Sequence, residues 1–95
     1  MATDVRSDLA IHPGEYLADE LEARNMSQRD LARSIGRPAQ TVSEIIRGRR
    51  SISADLAVAL ERALGLSARG WMNLQSEFEL VLAYGRAGQP RSAAR

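Results

Sequence analysis

The chain has 95 residues, of which 44% are hydrophobic, and a net charge of +1 at pH 7. This length and composition fit one small globular domain with a modest core. The sequence contains no cysteine, which excludes a disulfide framework, a zinc site of the cysteine type and a thiol nucleophile. No apolar run approaches the roughly 18 residues of a membrane span, and the N-terminal residues carry no apolar signal segment. We therefore expect a cytoplasmic protein that does not contact membranes.

Five helices are predicted in chain order from residues that favour helix ends. The first helix begins at Pro13, since proline suits the first helical position, and runs to about Arg24. Each later helix starts at a serine cap or a proline and ends at a glycine, which predicts helices within 27–36, 38–48, 53–65 and 67–85. No segment has the alternation of a strand, so the predicted fold is all-α.

These helices are expected to form one domain over residues 11–84, with a flexible arm at 1–10 and a disordered tail at 85–95. Apolar residues at helical spacing predict which side chains face the core. In the first four helices they are Tyr16, Leu17, Leu21, Leu31, Ala32, Ile35, Val42, Ile45, Ile46, Leu56, Leu60, Ala63 and Leu64.

The fifth helix carries more large apolar side chains than four short helices can cover. Its apolar side is formed by Trp71, Leu74, Phe78, Val81 and Leu82. Part of this side must belong to the core, and we expect the remainder to form the seam of a homodimer. The candidate seam residues are Trp71, Leu74, Phe78 and Leu82.

Residues 26–48 predict two short helices that are joined by a turn containing Gly36. The second of these helices presents short polar side chains outward, and this arrangement is typical of a helix-turn-helix that reads DNA. The candidates for base contacts are Ala39, Gln40, Ser43 and Glu44. Glutamine can bind adenine in a bidentate manner, glutamate can accept from cytosine N4, and an alanine methyl suits the thymine methyl. One alternative is that Gln40 and Glu44 simply form a solvated face. Another is that Arg47, one turn away, holds Glu44 in an intrahelical pair.

Positive charge is concentrated around the same segment. Residues 24–50 hold seven arginines and two acids, a local charge of +5, whereas the rest of the chain holds six arginines and ten acids, a charge of −4. Such a basic segment is typical of a surface that binds phosphate. All basic residues are arginine, which suits bidentate phosphate contacts, although genome composition would produce the same bias. The candidate phosphate contacts are Gln28, Arg37, Thr41, Arg47, Arg49 and Arg50.

Nothing in the sequence indicates an enzyme. His12 is the single histidine, and no serine, cysteine or carboxylate constellation surrounds it, so we expect it to serve the start of the first helix. The sequence has no glycine-rich nucleotide loop and no metal-ligand spacing. We therefore expect no catalytic residue, no metal, no cofactor and no small-molecule substrate.

Several motifs are shared with known repressors. The helix-turn-helix segment resembles the XRE (lambda/434 repressor-like, Cro/C1) family. The residues that carry this resemblance are Ser27-Gln28, Leu31-Ala32, Gly36, Thr41-Val42-Ser43 and Gly48. Within that family, the chain is similar to HigA-type antitoxins. The segments that carry this likeness are 12–15, 48–53, 64–67 and 71–75, the last of which reads Trp-Met-Asn-Leu-Gln. Pro38 departs from the serine or threonine that commonly caps the recognition helix, so a hydroxyl contact to phosphate is absent there.

The resemblance implies a five-helix lambda-repressor-like domain that binds a palindromic operator in its own promoter as a homodimer. It also implies that the protein neutralises a RelE/HigB-like ribonuclease toxin. The acidic side of the first helix is either a solvated face or the docking surface for that basic toxin, and it contains Glu15, Asp19, Glu20 and Glu22. The alternative function is a stand-alone transcriptional repressor of the same fold with no toxin partner.

Overall fold

The computed structural model describes residues 10–88, which form five α-helices: α1 (Pro13–Ala23), α2 (Gln28–Ile35), α3 (Ala39–Ile46), α4 (Ala54–Leu64) and α5 (Ala68–Ala87). None of the residues in this range lies in a strand, and the all-α prediction is confirmed. Helix α2 packs against α3 and α4, α1 packs against α3 and α5, and α4 packs against α5. No helix of residues 10–88 is long and apolar enough to cross a membrane.

Side chains at the helix ends determine where the helices begin, close to the predicted positions. The Ser27 hydroxyl accepts from the backbone N–H of Asp30, and the Asp30 carboxylate accepts from the backbone N–H of Ser27, which forms a capping box at the start of α2. Ser53 and Ser67 cap α4 and α5 in the same way through one hydrogen bond each. Gly36 ends α2 with a φ of 68°, a left-handed conformation that side chains resist, and so forms the turn towards α3.

The end of α5 differs from the prediction. The helix was expected to end at Gly85, but it continues to Ala87, and Gly88 takes the left-handed conformation with a φ of 72°. A glycine within a helix costs only about 0.5–1 kcal/mol relative to alanine, so Gly85 weakens the helix without stopping it. The predicted tail boundary at residue 85 is therefore wrong. The remainder of the tail, 89–95, and residues 1–9 of the predicted arm lie outside the described residues.

One hydrophobic core joins all five helices and the loop before α4. Its buried residues are Leu17, Leu21, Leu31, Ala32, Val42, Ile45, Ile52, Leu56, Ala57, Leu60, Leu64 and Trp71. The inward orientation predicted for Tyr16 is wrong, because the side chain is 45% exposed. Leu17 and Leu21, one turn apart, form the buried face of α1, and Tyr16 lies about 100° around the helix from Leu17.

Candidate DNA-binding surface

Helix α3 turns its apolar side inward and its short polar side chains outward. Val42 and Ile45 are fully buried in the core beneath the helix. The residues on the outer side are Ala39 and Gln40, which are exposed, and Ser43 and Glu44, which are half-buried. The four residues predicted to contact bases thus share one face of an eight-residue helix, which is the arrangement that a major groove admits.

Three side chains on this face form a continuous hydrogen-bonded chain. The Gln40 amide Nε2 donates to Glu44 Oε2 at 3.0 Å, and Arg50 Nε donates to Glu44 Oε1 at 2.9 Å. A terminal guanidinium nitrogen of Arg50 lies 2.7 Å from the same Glu44 oxygen. These bonds, that from Arg50 first and that from Gln40 second, hold the pKa of Glu44 below its usual value. The cation that pairs with Glu44 is therefore Arg50 from the following loop, and the alternative pairing with Arg47 is wrong.

The predicted phosphate contacts differ in how accessible they are. Thr41 is only 8% exposed, because it lies on the inner side of α3 beside Val42, so its hydroxyl is poorly placed for phosphate. Gln28 is exposed at the first position of α2, where backbone N–H groups and the helix dipole favour an anion. Among the four arginines predicted to contact phosphate, three form no ion pair with the described residues: Arg37, which is half-buried, and Arg47 and Arg49, which are exposed.

The N-terminus of α1 packs against the backbone of α3. His12 caps α1, and its Nδ1 accepts from the backbone N–H of Gly14 at 2.9 Å, so the helix-start role expected for His12 is confirmed. Burial lowers the pKa of His12, against the opposing effects of a hydrogen bond with the Arg50 backbone and the charge of Glu15. Gly14 touches α3 directly, since a Cβ there would lie 1.9 Å from the carbonyl oxygen of Ile45.

Helix α5 holds the loop that carries Arg50. The Gln75 side chain is 4% exposed, and its Oε1 accepts from the buried backbone N–H of Ile52 at 2.8 Å. The Gln75 Nε2 in turn donates to Glu79 Oε2 at 2.9 Å. The sequence did not predict this contact, since no local pattern relates Gln75 to a loop 23 residues earlier.

The predicted toxin-contact residues lie beside an apolar groove. Glu15, Asp19 and Glu22 are exposed, whereas Glu20 is half-buried and pairs with Arg24. A groove of about 470 Å³ runs between α1 and the start of α5. Its lining residues are Tyr16, Asp19, Glu20, Leu66, Ser67, Gly70, Trp71 and Leu74. Partly exposed apolar side chains thus lie next to carboxylates on one surface.

The predicted dimer residues divide between the core and the surface. Trp71 is 2% exposed and packs in the core of a single chain, so its place in a dimer seam is wrong. Leu74 packs partly against that core, and the rings of Phe78 and His12 are in a T-shaped contact with centroids 4.8 Å apart. Leu82 is 39% exposed. The outer half of α5 is therefore an apolar surface that residues 10–88 of a single chain leave partly uncovered.

Comparison with known proteins agrees with this geometry. The helix-turn-helix family profile matches residues 17–71, more than half of the chain. Virulence-associated protein I of Dichelobacter nodosus is 39% identical over 75 residues, which cover 78% of this chain and 69% of that protein. The chain therefore belongs to the XRE-type helix-turn-helix family.

Solved structures of HigA-family proteins superimpose on this chain. The structure of Pseudomonas aeruginosa antitoxin HigA with the higBA promoter superimposes with a TM-score of 0.80 at 48% identity, over 84% of this chain and 88% of that chain. An antidote protein of the HigA family from Coxiella burnetii superimposes with a TM-score of 0.78 at 39% identity, over 82% and 86% of the two chains. The predicted resemblance to HigA-type antitoxins is confirmed.

Proposed function

We propose that this protein is the antitoxin of a type II toxin-antitoxin module, which binds operator DNA as a homodimer, represses its own operon and neutralises a RelE/HigB-like ribonuclease. The observation that carries the DNA-binding part is the outer face of α3. There Gln40 is exposed on the second helix of a helix-turn-helix, and at the end of that helix the guanidinium groups of Arg47 and Arg49 form no ion pair with the described residues. A HigA antitoxin with 48% identity has been solved with its promoter, which supports the same activity here.

Two substitutions separate base recognition from phosphate binding. Gln40→Ala removes hydrogen bonds but no charge, so operator affinity should fall by about 1–3 kcal/mol per half-site while affinity for random DNA is retained. Arg49→Ala removes a cation, so affinity should fall on every sequence, and the slope of log K against log salt should flatten by about one unit. Fluorescence anisotropy measures both. Equal losses on operator and random DNA for Gln40→Ala would refute a base contact.

The homodimer is supported by the outer half of α5. Leu74, Phe78, Val81 and Leu82 follow the i, i+4, i+7, i+8 spacing of one helix face, and none of residues 76–88 is fully buried in the single chain. Since one module covers one half-site, a twofold partner would place two recognition helices about 34–36 Å apart on the operator.

The dimer is tested by a matched pair of substitutions on α5. Leu82→Asp should give a folded monomer, because an unpaired charge in an apolar seam is strongly destabilising. Leu80→Asp is the control, since Leu80 is 45% exposed and lies on the opposite side of the helix. Light scattering and helical circular dichroism distinguish the outcomes. A Leu82→Asp protein that stays dimeric would move the interface off this face. Phe78 is the weaker probe, because its ring contacts His12 within one chain.

The toxin contact is proposed on the apolar groove between α1 and α5 together with the carboxylates of α1 beside it. Its carboxylates suit a basic partner, and its half-exposed Tyr16 and Leu66 suit an apolar side chain of that partner. The surface lies on α1 and α5, away from the outer face of α3, so one dimer has separate surfaces for toxin and DNA.

Charge removal tests this surface. Glu15→Gln combined with Asp19→Asn should weaken binding to the RelE/HigB-like toxin about 2- to 10-fold, more at low salt, since rim charges act on encounter and salt dependence. Asp55→Asn on α4 is the control, because α4 contributes no residue to the groove. Operator affinity should be equal for both variants. A toxin affinity unchanged by the double substitution would remove α1 from the contact, and a wild-type chain that binds no such toxin would favour the stand-alone repressor.

A further inference from the structure

We infer that Glu44 and Arg50 are positioning residues that orient the Gln40 amide for adenine and against guanine, so that Glu44 contacts no base itself. This inference deepens the proposed operator binding and rests on it. The observation behind it is the chain of hydrogen bonds from Arg50 through Glu44 to Gln40, with N···O distances of 2.9 Å and 3.0 Å.

The chemistry of the pair fixes which end of the Gln40 amide faces Glu44. A carboxylate that pairs with arginine can only accept hydrogen bonds, and only the NH₂ group of an amide can donate. The Nε2 of Gln40 must therefore face Glu44, whereas its Oε1 is left for another partner.

The orientation has a consequence for base choice. One Nε2 hydrogen is used by Glu44, so Gln40 has one N–H donor and one acceptor, Oε1, to present outward. Adenine offers the complementary pair in the major groove, N7 as acceptor and N6 as donor. Guanine offers two acceptors, N7 and O6, which would need both N–H groups of the amide. Glu44 thus penalises guanine by occupying one of them.

Arg50 makes this arrangement compatible with a DNA surface. A lone carboxylate among phosphates would be repelled, and it would leave the helix face more negative. Arg50 neutralises Glu44 with two nitrogens, one at 2.9 Å and one at 2.7 Å from Oε1. One carboxylate oxygen of Glu44 accepts from Gln40 and the other accepts from Arg50, so Glu44 is bonded to side chains of the protein itself.

The experiment measures base preference at each position of a half-site. The probe is a duplex that the wild-type protein selects from a random pool, with every base pair then replaced in turn and affinity measured by fluorescence anisotropy. Gln40→Ala should abolish the preference at one A·T pair, a change of about 5- to 150-fold. Glu44→Ala should reduce adenine-over-guanine preference at that same pair by about 2- to 10-fold, the worth of one hydrogen bond.

The double variant decides whether Glu44 acts through Gln40. Gln40→Ala with Glu44→Ala should show the same base preferences as Gln40→Ala alone. Additive losses, or a second base pair affected by Glu44→Ala, would show that Glu44 reads a base and would overturn the inference. A wild-type protein that selects no sequence from the pool would refute operator binding itself. That outcome is distinct from a protein that selects a sequence but reads a base through Glu44.

Two further variants distinguish positioning from a structural role. Glu44→Gln retains an acceptor oxygen for Gln40 and should recover part of the adenine preference lost in Glu44→Ala, whereas no recovery would overturn the inference. Arg50→Ala and Arg47→Ala each remove one cation, but only Arg50 contacts Glu44. Both should lower affinity on every sequence, and only Arg50→Ala should also weaken the preference at the Gln40 base pair. Equal base preferences in these two variants would contradict the role of Arg50.

Discussion

Replacing Gly14 with alanine tests how closely α1 packs against the recognition helix. The added methyl would lie 1.9 Å from the Ile45 carbonyl oxygen, 2.8 Å from its carbonyl carbon and 2.9 Å from the Ile46 Cα. All three are backbone atoms of α3, so no side-chain rotation relieves the overlap. Restoring van der Waals contact at about 3.4 Å requires a relative shift of roughly 1.5 Å between the two helices.

The expected cost follows from this shift. Overpacking a well-filled core typically costs about 1–3 kcal/mol, and an overlap with rigid backbone belongs at or above the upper end. For a domain of this size, a loss of about 3 kcal/mol corresponds to a decrease in Tm of more than about 10 °C. Operator affinity should fall with it, because α3 would be displaced relative to the loop that carries Arg49 and Arg50.

Gly85→Ala provides the control for the same chemical change. Nothing lies within 4 Å of a Cβ at Gly85, and its backbone is helical, so alanine should stabilise α5 by about 0.5–1 kcal/mol. Urea unfolding followed by circular dichroism, at several protein concentrations to separate dimerisation, measures both variants. A Gly14→Ala protein as stable as the wild type would refute the close packing of α1 on α3.

Three further predictions concern the residues that hold the loop and helix ends. Burial lowers the pKa of His12, so the folded protein binds a proton at this residue less readily than the unfolded chain does. The free energy of unfolding should therefore be full above about pH 6.5 and decline as the pH falls through the lower pKa of the folded state. His12→Asn keeps an acceptor for the Gly14 N–H and should remove this decline in the urea midpoint. A decline equal to that of the wild type would show that another group causes it. Gln75→Leu leaves the Ile52 N–H buried without an acceptor and should cost about 1–3 kcal/mol, so an unchanged midpoint would contradict that hydrogen bond. Ser27→Ala should cost about 1 kcal/mol by removing the cap of α2, with Ser27→Asn close to neutral.

The helices and most of their ends could be predicted because the determinants are local. A serine hydroxyl reaches a backbone N–H only two or three residues ahead, and a glycine takes the left-handed conformation through its own lack of a side chain. Ser27, Ser53, Ser67, Gly36 and Gly65 act in this way. The same local reasoning predicted the outer face of α3, since side-chain direction in a helix follows from residue spacing alone.

The contacts that sequence reasoning missed all depend on how distant segments meet. Trp71 was assigned to a dimer seam because residue spacing does not show which part of a long helix the other four helices cover. The partner of Glu44 was sought one helical turn away, whereas Arg50 reaches it from a loop whose path is set by Ile52 and Gln75. The absence of a side chain at Gly14, at a position where a helix does not need glycine, was the one local sign of a close contact.

In the proposed homodimer, helix α5 links assembly to local order. Its 20 residues span about 30 Å, but its buried residues, Trp71 and Gln75, both lie in the first half. The remaining turns extend a helix that is already formed but bury little against the rest of one chain, so a partner that covers them would stabilise them. In a homodimer each protomer supplies this cover for the other. Dilution would then melt these turns as the protomers separate, so backbone amides after Gln75 should lose protection from hydrogen exchange at a protein concentration set by the dimer's own dissociation constant.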